Sequence, residues 1–319
     1  MQPYDALNSL THWLNDQIVG QTHLVERLLI ALLADGHLLV EGAPGLAKTK
    51  AIKTLADGIE GDFHRIQFTP DLLPSDVTGT DIYRPEQHSF EFQPGPIFHN
   101  LVLSDEINRA PAKVQSALLE AMAERQVSVG STSYPLPELF MVMATQNPIE
   151  QEGTYPLPEA QLDRFLLKVQ VDYPDLAAER QILKIARNEA AHQAPKPPPQ
   201  VSQALLFKAR QQVLQIHMAE PVEEYLVQLI NASRRPADYD AELAQWLDYG
   251  ASPRATIALD RCARAHAWLA GRDYVSPDDV RAIAHDCLRH RLILSFEAEA
   301  TGVTAETVID RMLECVPLA

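Results

Sequence analysis

Gly42-Ala43-Pro44-Gly45-Leu46-Ala47-Lys48-Thr49 is the stretch of this chain whose residue types and spacing most directly imply chemistry. It follows the apolar run His37-Leu38-Leu39-Val40 and precedes a helix-forming segment, Lys50 to Ile59. A strand, a Gly-rich turn closing in Lys-Thr, then a helix is the arrangement that holds nucleotide phosphates. Backbone N–H groups of the turn and of the helix N-terminus face the anion, Lys48 reaches the outer phosphates and Thr49 ligates Mg²⁺. The usual pattern has Gly at the sixth position, where Ala47 stands here. The plain alternative is a strand-turn-helix connection that binds nothing.

Downstream, Leu101-Val102-Leu103-Ser104-Asp105-Glu106 is an apolar strand ending in two acids. In a parallel sheet the ligand crevice lies at the carboxyl ends of the strands, beside the phosphate loop. Asp105 there holds Mg²⁺ through a water, and Glu106 polarises the attacking water; two carboxylates divide these roles because the cation wants oxygen ligands while hydrolysis needs a separate base. Taken alone, such a pair is more often solvated strand-end charge. Asn147, after the strand Phe140 to Met143, could hydrogen-bond the attacking water or the outer phosphate, although Asn147-Pro148 is also a turn signal. Arg164, in Leu162-Asp163-Arg164-Phe165, could stabilise charge on a transferring phosphoryl group from a neighbouring subunit, or simply pair with Asp163. Arg254 falls in the first turn of a helix begun by Ser252-Pro253, where guanidinium and helix N-terminus both favour phosphate; a structural Arg is the alternative.

The elements that must position these residues follow from periodicity. Residues 5–16 read as a short helix with Leu7, Leu10 and Leu14 on one face, and Gln21 to Ala34 as a second. Strands are expected at Phe63–Phe68, Leu101–Ser104, Phe140–Ala144 and Leu166–Val171, with a helix over Pro111–Arg125 and a turn and helix start over Thr69–Asp76. Two hairpin insertions are expected, near residues 81–98 and 126–136. Apolar strands alternating with helices imply an α/β fold with a parallel sheet covered on both faces. After Tyr173 the pattern predicts five or six helices and no strand, with Pro195-Lys196-Pro197-Pro198-Pro199 as an exposed connector. Ser252-Pro253 and Ser276-Pro277 start two of these helices. The division expected is a nucleotide-binding domain over 1–173 and a helical lid over 174–319.

At 319 residues the chain suits two domains, and a hydrophobic content of 46% with 22% charged residues describes a globular protein. A net charge of −16 argues against gripping a nucleic-acid backbone by bulk attraction. Met1-Gln2-Pro3-Tyr4-Asp5 lacks the basic and apolar regions of a signal peptide, and the longest apolar run, Leu28 to Ala34, is too short to span a bilayer. Cys262, Cys287 and Cys315 fit neither a disulfide framework nor a metal site, so reduced thiols and a cytoplasmic location are expected. His285, His290, Trp246 and Trp268 read as structural.

Together these segments resemble the AAA+ ATPases, and within them the MoxR family. The carrying residues are Ile18-Val19-Gly20-Gln21, the Gly42–Thr49 turn, Arg65-Ile66-Gln67-Phe68-Thr69-Pro70-Asp71-Leu72-Leu73-Pro74-Ser75-Asp76, and Asp105-Glu106-Ile107-Asn108-Arg109-Ala110. The run from Ala144-Thr145-Gln146-Asn147-Pro148 through Glu152-Gly153-Thr154-Tyr155-Pro156-Leu157-Pro158-Glu159-Ala160-Gln161-Leu162-Asp163-Arg164-Phe165 is the most family-specific. The resemblance covers roughly residues 5 to 295, and such proteins look like they use Ala-Lys-Thr where Ala47 stands.

The resemblance implies a P-loop AAA+ module, with a parallel five-stranded sheet flanked by helices and an all-α C-terminal lid. It implies that Gly42, Ala43, Pro44, Gly45, Leu46, Ala47, Lys48 and Thr49 bind ATP as the Walker A segment, with Val19, Gly20 and Gln21 lining the adenine. Asp105 and Glu106 map onto Walker B, with Thr49 and Asp105 at Mg²⁺; Asn147 maps onto sensor 1, Arg164 onto a trans-acting arginine finger and Arg254 onto sensor 2. Both hairpins would face a pore or a substrate in a homo-hexameric ring. The expected activity is ATP hydrolysis driving a chaperone-like remodeller or maturation factor for client proteins, with a von Willebrand factor A domain partner as a separate polypeptide. A nucleic-acid motor or loader and a nucleotide-gated assembly scaffold are the alternatives, and a P-loop kinase explains neither the Arg164 segment nor the lid.

Overall fold

The computed structural model describes residues 2–148, 153–190 and 197–318. Residues 149–152 of the Ala144–Phe165 run, and the start of the Pro-rich connector, lie outside the described residues.

The chain opens with α1 (Pro3–Gln17) and α2 (Thr22–Leu33). Proline at the first turn of α1 costs no hydrogen bond, and Leu7, Leu10 and Leu14 bury the face that their spacing predicts. The sheet region then runs β1 (Leu38–Gly42), α3 (Lys48–Asp57), β2 (Phe63–Gln67), α4 (Pro74–Thr78), β3 (Gly79–Arg84), β4 (Ser89–Pro94), β5 (Leu101–Asp105), α5 (Ala112–Glu124), β6 (Gln126–Val129), β7 (Thr132–Pro135), β8 (Met141–Gln146), α6 (Glu159–Leu162), β9 (Leu167–Val171) and α7 (Leu176–Ala190).

Five strands form one parallel sheet in the order β2-β5-β8-β1-β9. Residues 101–105 of β5 are all buried, as are 141–145 of β8, because helices cover both faces; that is why these strands carry apolar runs rather than alternation. At the edge, β2 buries only Ile66 fully. The parallel register pairs Gln67 with Asp105, Ser104 with Ala144 and Val40 with Thr145. The carboxyl ends of β1, β2, β5 and β8 therefore meet along one edge of the sheet. Both expected hairpins are present: β3 pairs with β4 and β6 with β7, antiparallel. Phe92 of the first stacks on Tyr134 of the second, with centroids 3.9 Å apart and planes 14° from parallel.

The remainder comprises α8 (Gln203–Leu214), β10 (His217–Met218), α9 (Glu220–Arg234), α10 (Ala241–Trp246), β11 (Leu247–Tyr249), α11 (Pro253–Leu269), β12 (Tyr274–Val275), α12 (Pro277–Leu288), β13 (Ile293–Leu294), α13 (Phe296–Ala300) and α14 (Ala305–Cys315). The expectation of no strand after Tyr173 is corrected here: β10 pairs with β12 and β11 with β13. These strands are two or three residues long, too short for period-two alternation to register in a sequence. Chain packing groups residues 1–29, 37–164 and 169–206 in one unit and 30–36, 165–168 and 207–319 in another. Residues 174–190 and 197–206 thus count with the first unit, whereas the sequence reading puts them in the lid.

In the second unit Ser252 and Ser276 stand at the N-cap positions of α11 and α12 that their Ser-Pro pairs predict; Ser252 accepts the N–H of Arg254, whereas the Ser276 hydroxyl donates to Asp279. Asp279 is fully buried and accepts from Arg272, His266 Nδ1 (2.6 Å), and both the N–H and hydroxyl of Ser276 (2.7 Å each). Cys262 and Cys287 are buried cysteines outside any disulfide, and Trp268 is in the core. Among the described residues no helix is long and apolar enough to cross a membrane.

Candidate functional site

Gly42 closes β1 where a side chain has no room: a Cβ there would sit 2.6 Å from the carbonyl oxygen of Val171. The turn that follows needs left-handed backbone twice, at Gly45 (φ +84°) and Ala47 (φ 59°). The second explains why glycine is usual at this position, since the left-handed region costs an alanine about 1–2 kcal/mol. Strain of that kind persists where the surroundings over-determine it. Here it swings the chain directly into α3, so that Lys48 and Thr49 open the helix. Lys48 Nζ donates to Gly42 O and, at 3.4 Å, to Gln146 O, reaching across the ends of β1 and β8. Burial lowers the pKa of its ammonium, and the carboxylates of Asp105, Glu106 and Glu41 oppose that shift.

The two acids sit on the neighbouring strand ends. Asp105 Oδ1 accepts the hydroxyl of Thr145 at 2.6 Å, and Oδ2 accepts Arg65 through Nε (3.0 Å) and Nη2 (2.6 Å). Glu106 has a left-handed backbone (φ 58°), which turns the chain out of β5 and gives the two carboxylates different neighbours. Its Oε2 accepts Gln67 Nε2 at 2.9 Å and lies 3.0 Å from Arg109 Nε, while its N–H donates to Thr145 Oγ1 at 2.9 Å. Thr145, Arg65, Gln67 and Arg109 were not singled out as site residues by the sequence reading. The available signal was period two: Arg65 and Gln67 share one side of β2, and Thr145 precedes Asn147 by two along the line of β8.

A cleft of about 310 Å³ is lined by Pro44, Gly45, Leu46, Ala47, Lys48, Thr49, Lys50, Asp105, Glu106, Thr145 and Asn147. The expected phosphate-binding, cation and base residues thus converge on one volume, with Asn147 buried at its wall. Not all the expected residues join them. Gly42 and Ala43 are outside this lining. Val19, Gly20 and Gln21 are outside this lining: Gln21 Nε2 donates to Asp172 O at 3.0 Å, and Gly20 approaches Pro174 and Ala178. Arg164 is half-buried and donates to Leu119 O of its own α5 at 2.8 Å. Arg254 belongs to the second unit, exposed at the start of α11, where its N–H donates to Ser252 Oγ at 3.1 Å.

The donor set fits a polyphosphate with a hard divalent cation. Thr49 and Asp105 offer a hydroxyl and a carboxylate, and no group of three or more His, Cys, Asp or Glu side chains placed to hold a metal by itself occurs among the described residues. A hydroxyl and a carboxylate suit a hard cation that takes its other ligands from phosphate oxygens and water.

The family described as ATPases associated with various cellular activities (AAA) matches residues 37–167, and the AAA lid domain matches residues 242–312. The chain is 47% identical to the chaperone MoxR1 of Mycobacterium tuberculosis, over 94% of this chain and 79% of that protein. It is 32% identical to the protein MoxR of Methylorubrum extorquens, over 99% and 98% of the two chains. A crystal structure from Cytophaga hutchinsonii, named for an inferred ATPase activity, superposes with a TM-score of 0.92 at 45% identity, covering 99% of this chain and 96% of the other.

Proposed function

Since this chain belongs to the MoxR family of AAA+ ATPases, we propose that it binds Mg-ATP in the cleft between the Gly42–Thr49 turn and the ends of β5 and β8, and hydrolyses it to ADP and phosphate. The observation that carries this is the convergence of Lys48, Thr49, Asp105, Glu106 and Asn147 on one cleft. N–H groups of the turn and the Lys48 ammonium hold the phosphates, and Thr49 with Asp105 would hold Mg²⁺, which when bound neutralises phosphate charge. Glu106 takes a proton from the attacking water, Asn147 orients that water, and Thr145 keeps both acids in place. Val19, Gly20 and Gln21 are read as the residues for the adenine, and Arg254 as the nucleotide-sensing arginine.

Arg164 is read as acting on the nucleotide of a neighbouring subunit in a homo-hexameric ring. The turnover would drive remodelling or maturation of a client protein, a reading supported by the chaperone name of a relative 47% identical. A separate von Willebrand factor A domain protein is the partner this reading adds. The net charge of −16 speaks against the nucleic-acid motor.

Three variants test it. Lys48→Ala should lose nucleotide binding, whereas Glu106→Gln should keep binding and lose turnover. Arg164→Ala should be inactive alone and regain turnover in rings mixed with Lys48→Ala. Parental hydrolysis by Glu106→Gln removes the base assignment, and a failure of mixing to restore turnover removes the trans role.

A further inference from the structure

Helix α5 carries one residue whose chemistry its burial does not explain. Gln115 is 0% exposed, among Val114, Leu118 and Leu119. Its Nε2 spends both hydrogens on backbone carbonyls, Ile107 O just before the helix at 3.2 Å and Tyr155 O, 40 residues further on, at 3.0 Å. Its Oε1 has no partner among the described residues, so these two carbonyls alone fix the carboxamide.

Both carbonyls belong to functional segments. Ile107 directly follows Glu106, in a short turn closed by the N–H of Arg109 on Glu106 O at 2.9 Å. Tyr155 lies on the segment that leads to Arg164, and its N–H donates to Asn108 O at 2.6 Å. The same helix holds that segment twice more: Ser116 Oγ accepts Gln161 Nε2 at 3.2 Å, and Leu119 O accepts the Arg164 guanidinium at 2.8 Å. Within one protomer α5 therefore brackets the turn that aims Glu106 together with the segment that presents Arg164.

We propose that Gln115 is a positioning residue that ties these two segments at a fixed separation, linking the Glu106 turn of its own site to the arginine offered to the next. This rests on the trans role of Arg164 proposed above. Loss of the two N–H donors leaves the Tyr155 N–H to Asn108 O bond as the direct tie between the segments, and lets them shift about it. Misplacement by a fraction of an ångström lowers the chemical step while leaving the Gly42–Thr49 turn, and so nucleotide affinity, as it was.

The test uses Gln115→Met, which keeps the length and volume and removes the donors. Turnover number should fall roughly tenfold to a hundredfold, with the KM for ATP and the affinity for a fluorescent ADP analogue unchanged. A merely structural role would instead move stability and affinity together. A mixing experiment isolates the trans arm. Rings of Glu106→Gln with Arg164→Ala should turn over, because the first supplies the arginine and the second the base. Rings in which the Glu106→Gln protomer also carries Gln115→Met should turn over at least severalfold more slowly. Equal rates in the two mixtures overturn this inference alone. A first mixture with no turnover overturns the trans reading, and this inference with it. If Gln115→Met does not fold, Gln115→Asn, too short to reach both carbonyls, is measured with the same outcomes.

Discussion

The hydroxyl of Thr145 donates to Oδ1 of Asp105 across 2.6 Å, at the point where β8 and β5 both end. Thr145 Oγ1 also accepts the N–H of Glu106 at 2.9 Å, so one side chain fixes both acids. Thr145→Val keeps the shape and removes the bridge. A buried hydrogen bond to a charged group contributes about 1.5–3 kcal/mol, and a loss of about 2 kcal/mol is expected in denaturant unfolding. Turnover should fall more than ADP affinity, because the acids shift while the Lys48 turn does not. Thr145→Ser should recover most of both. A Thr145→Val protein with parental turnover would remove Thr145 from the machinery.

Ala47 gives a prediction of opposite sign. Its left-handed backbone costs about 1–2 kcal/mol for an alanine, whereas a glycine gives up about 0.5–1 kcal/mol through the freedom it loses on folding. Ala47→Gly should therefore raise stability slightly, by up to about 1 kcal/mol, and leave ADP binding intact. A clear destabilisation by urea titration would mean that contacts of the Ala47 methyl outweigh the strain.

How much of this was legible beforehand depends on the range of the interaction. The strands β1, β5 and β8 could be read because burial on both faces forces continuous apolar runs. The convergence of Lys48, Thr49, Asp105, Glu106 and Asn147 followed from strand ends meeting on one edge of a parallel sheet. Thr145, Arg65 and Gln67 escaped because their partners lie 39 or 40 residues away and nothing local marks a hydroxyl, a guanidinium or an amide as a contact to an acid. Gln115 escaped for a related reason: in sequence it is one polar residue on an amphipathic helix, and only the fold shows that it faces inward. The short strands β10 to β13 run for two or three residues each, which leaves no period to read.

Lys48 links nucleotide binding to pH. Burial lowers the pKa of its ammonium, so the charge needed to hold phosphate is lost at a lower pH than for an ordinary lysine with a value of 10.5. ADP affinity should decline as pH rises toward that ordinary range, beginning below it. Stability of the nucleotide-free protein should move the other way. The folded state binds fewer protons than the unfolded chain between the lowered and ordinary values, and stability rises with pH wherever that holds. Fluorescent ADP titrations of the parent and unfolding midpoints across alkaline pH test both, with Lys48→Met as the control that lacks the stability slope. An affinity that does not fall until above the ordinary lysine range would contradict the shift.

In the second unit, acid should act in two stages. His290 is buried, its Nε2 donates to Phe165 O at 3.1 Å, and its Nδ1 has no partner among the described residues. Burial, with the nearby Arg291, Lys168 and Arg289, pushes its pKa well below 6.5. The unfolded chain therefore takes up a proton near that ordinary value while the folded one does not, and stability falls as pH drops below it. Asp279 acts later. Despite burial, the hydrogen bonds from Arg272, His266 and Ser276 hold its carboxyl far below its ordinary 3.8. Its contribution is complete above 3.8 and is lost as pH falls further. The difference in unfolding free energy between the parent and His290→Gln should slope with pH below about 6.5 and be flat above it. For Asp279→Asn the slope should appear only in the carboxylate range, on top of a loss of roughly 3 kcal/mol at neutral pH from leaving Arg272 and His266 without their buried partner. A parent and His290→Gln pair whose difference is independent of pH would mean that the folded protein protonates His290 as readily as the unfolded chain does.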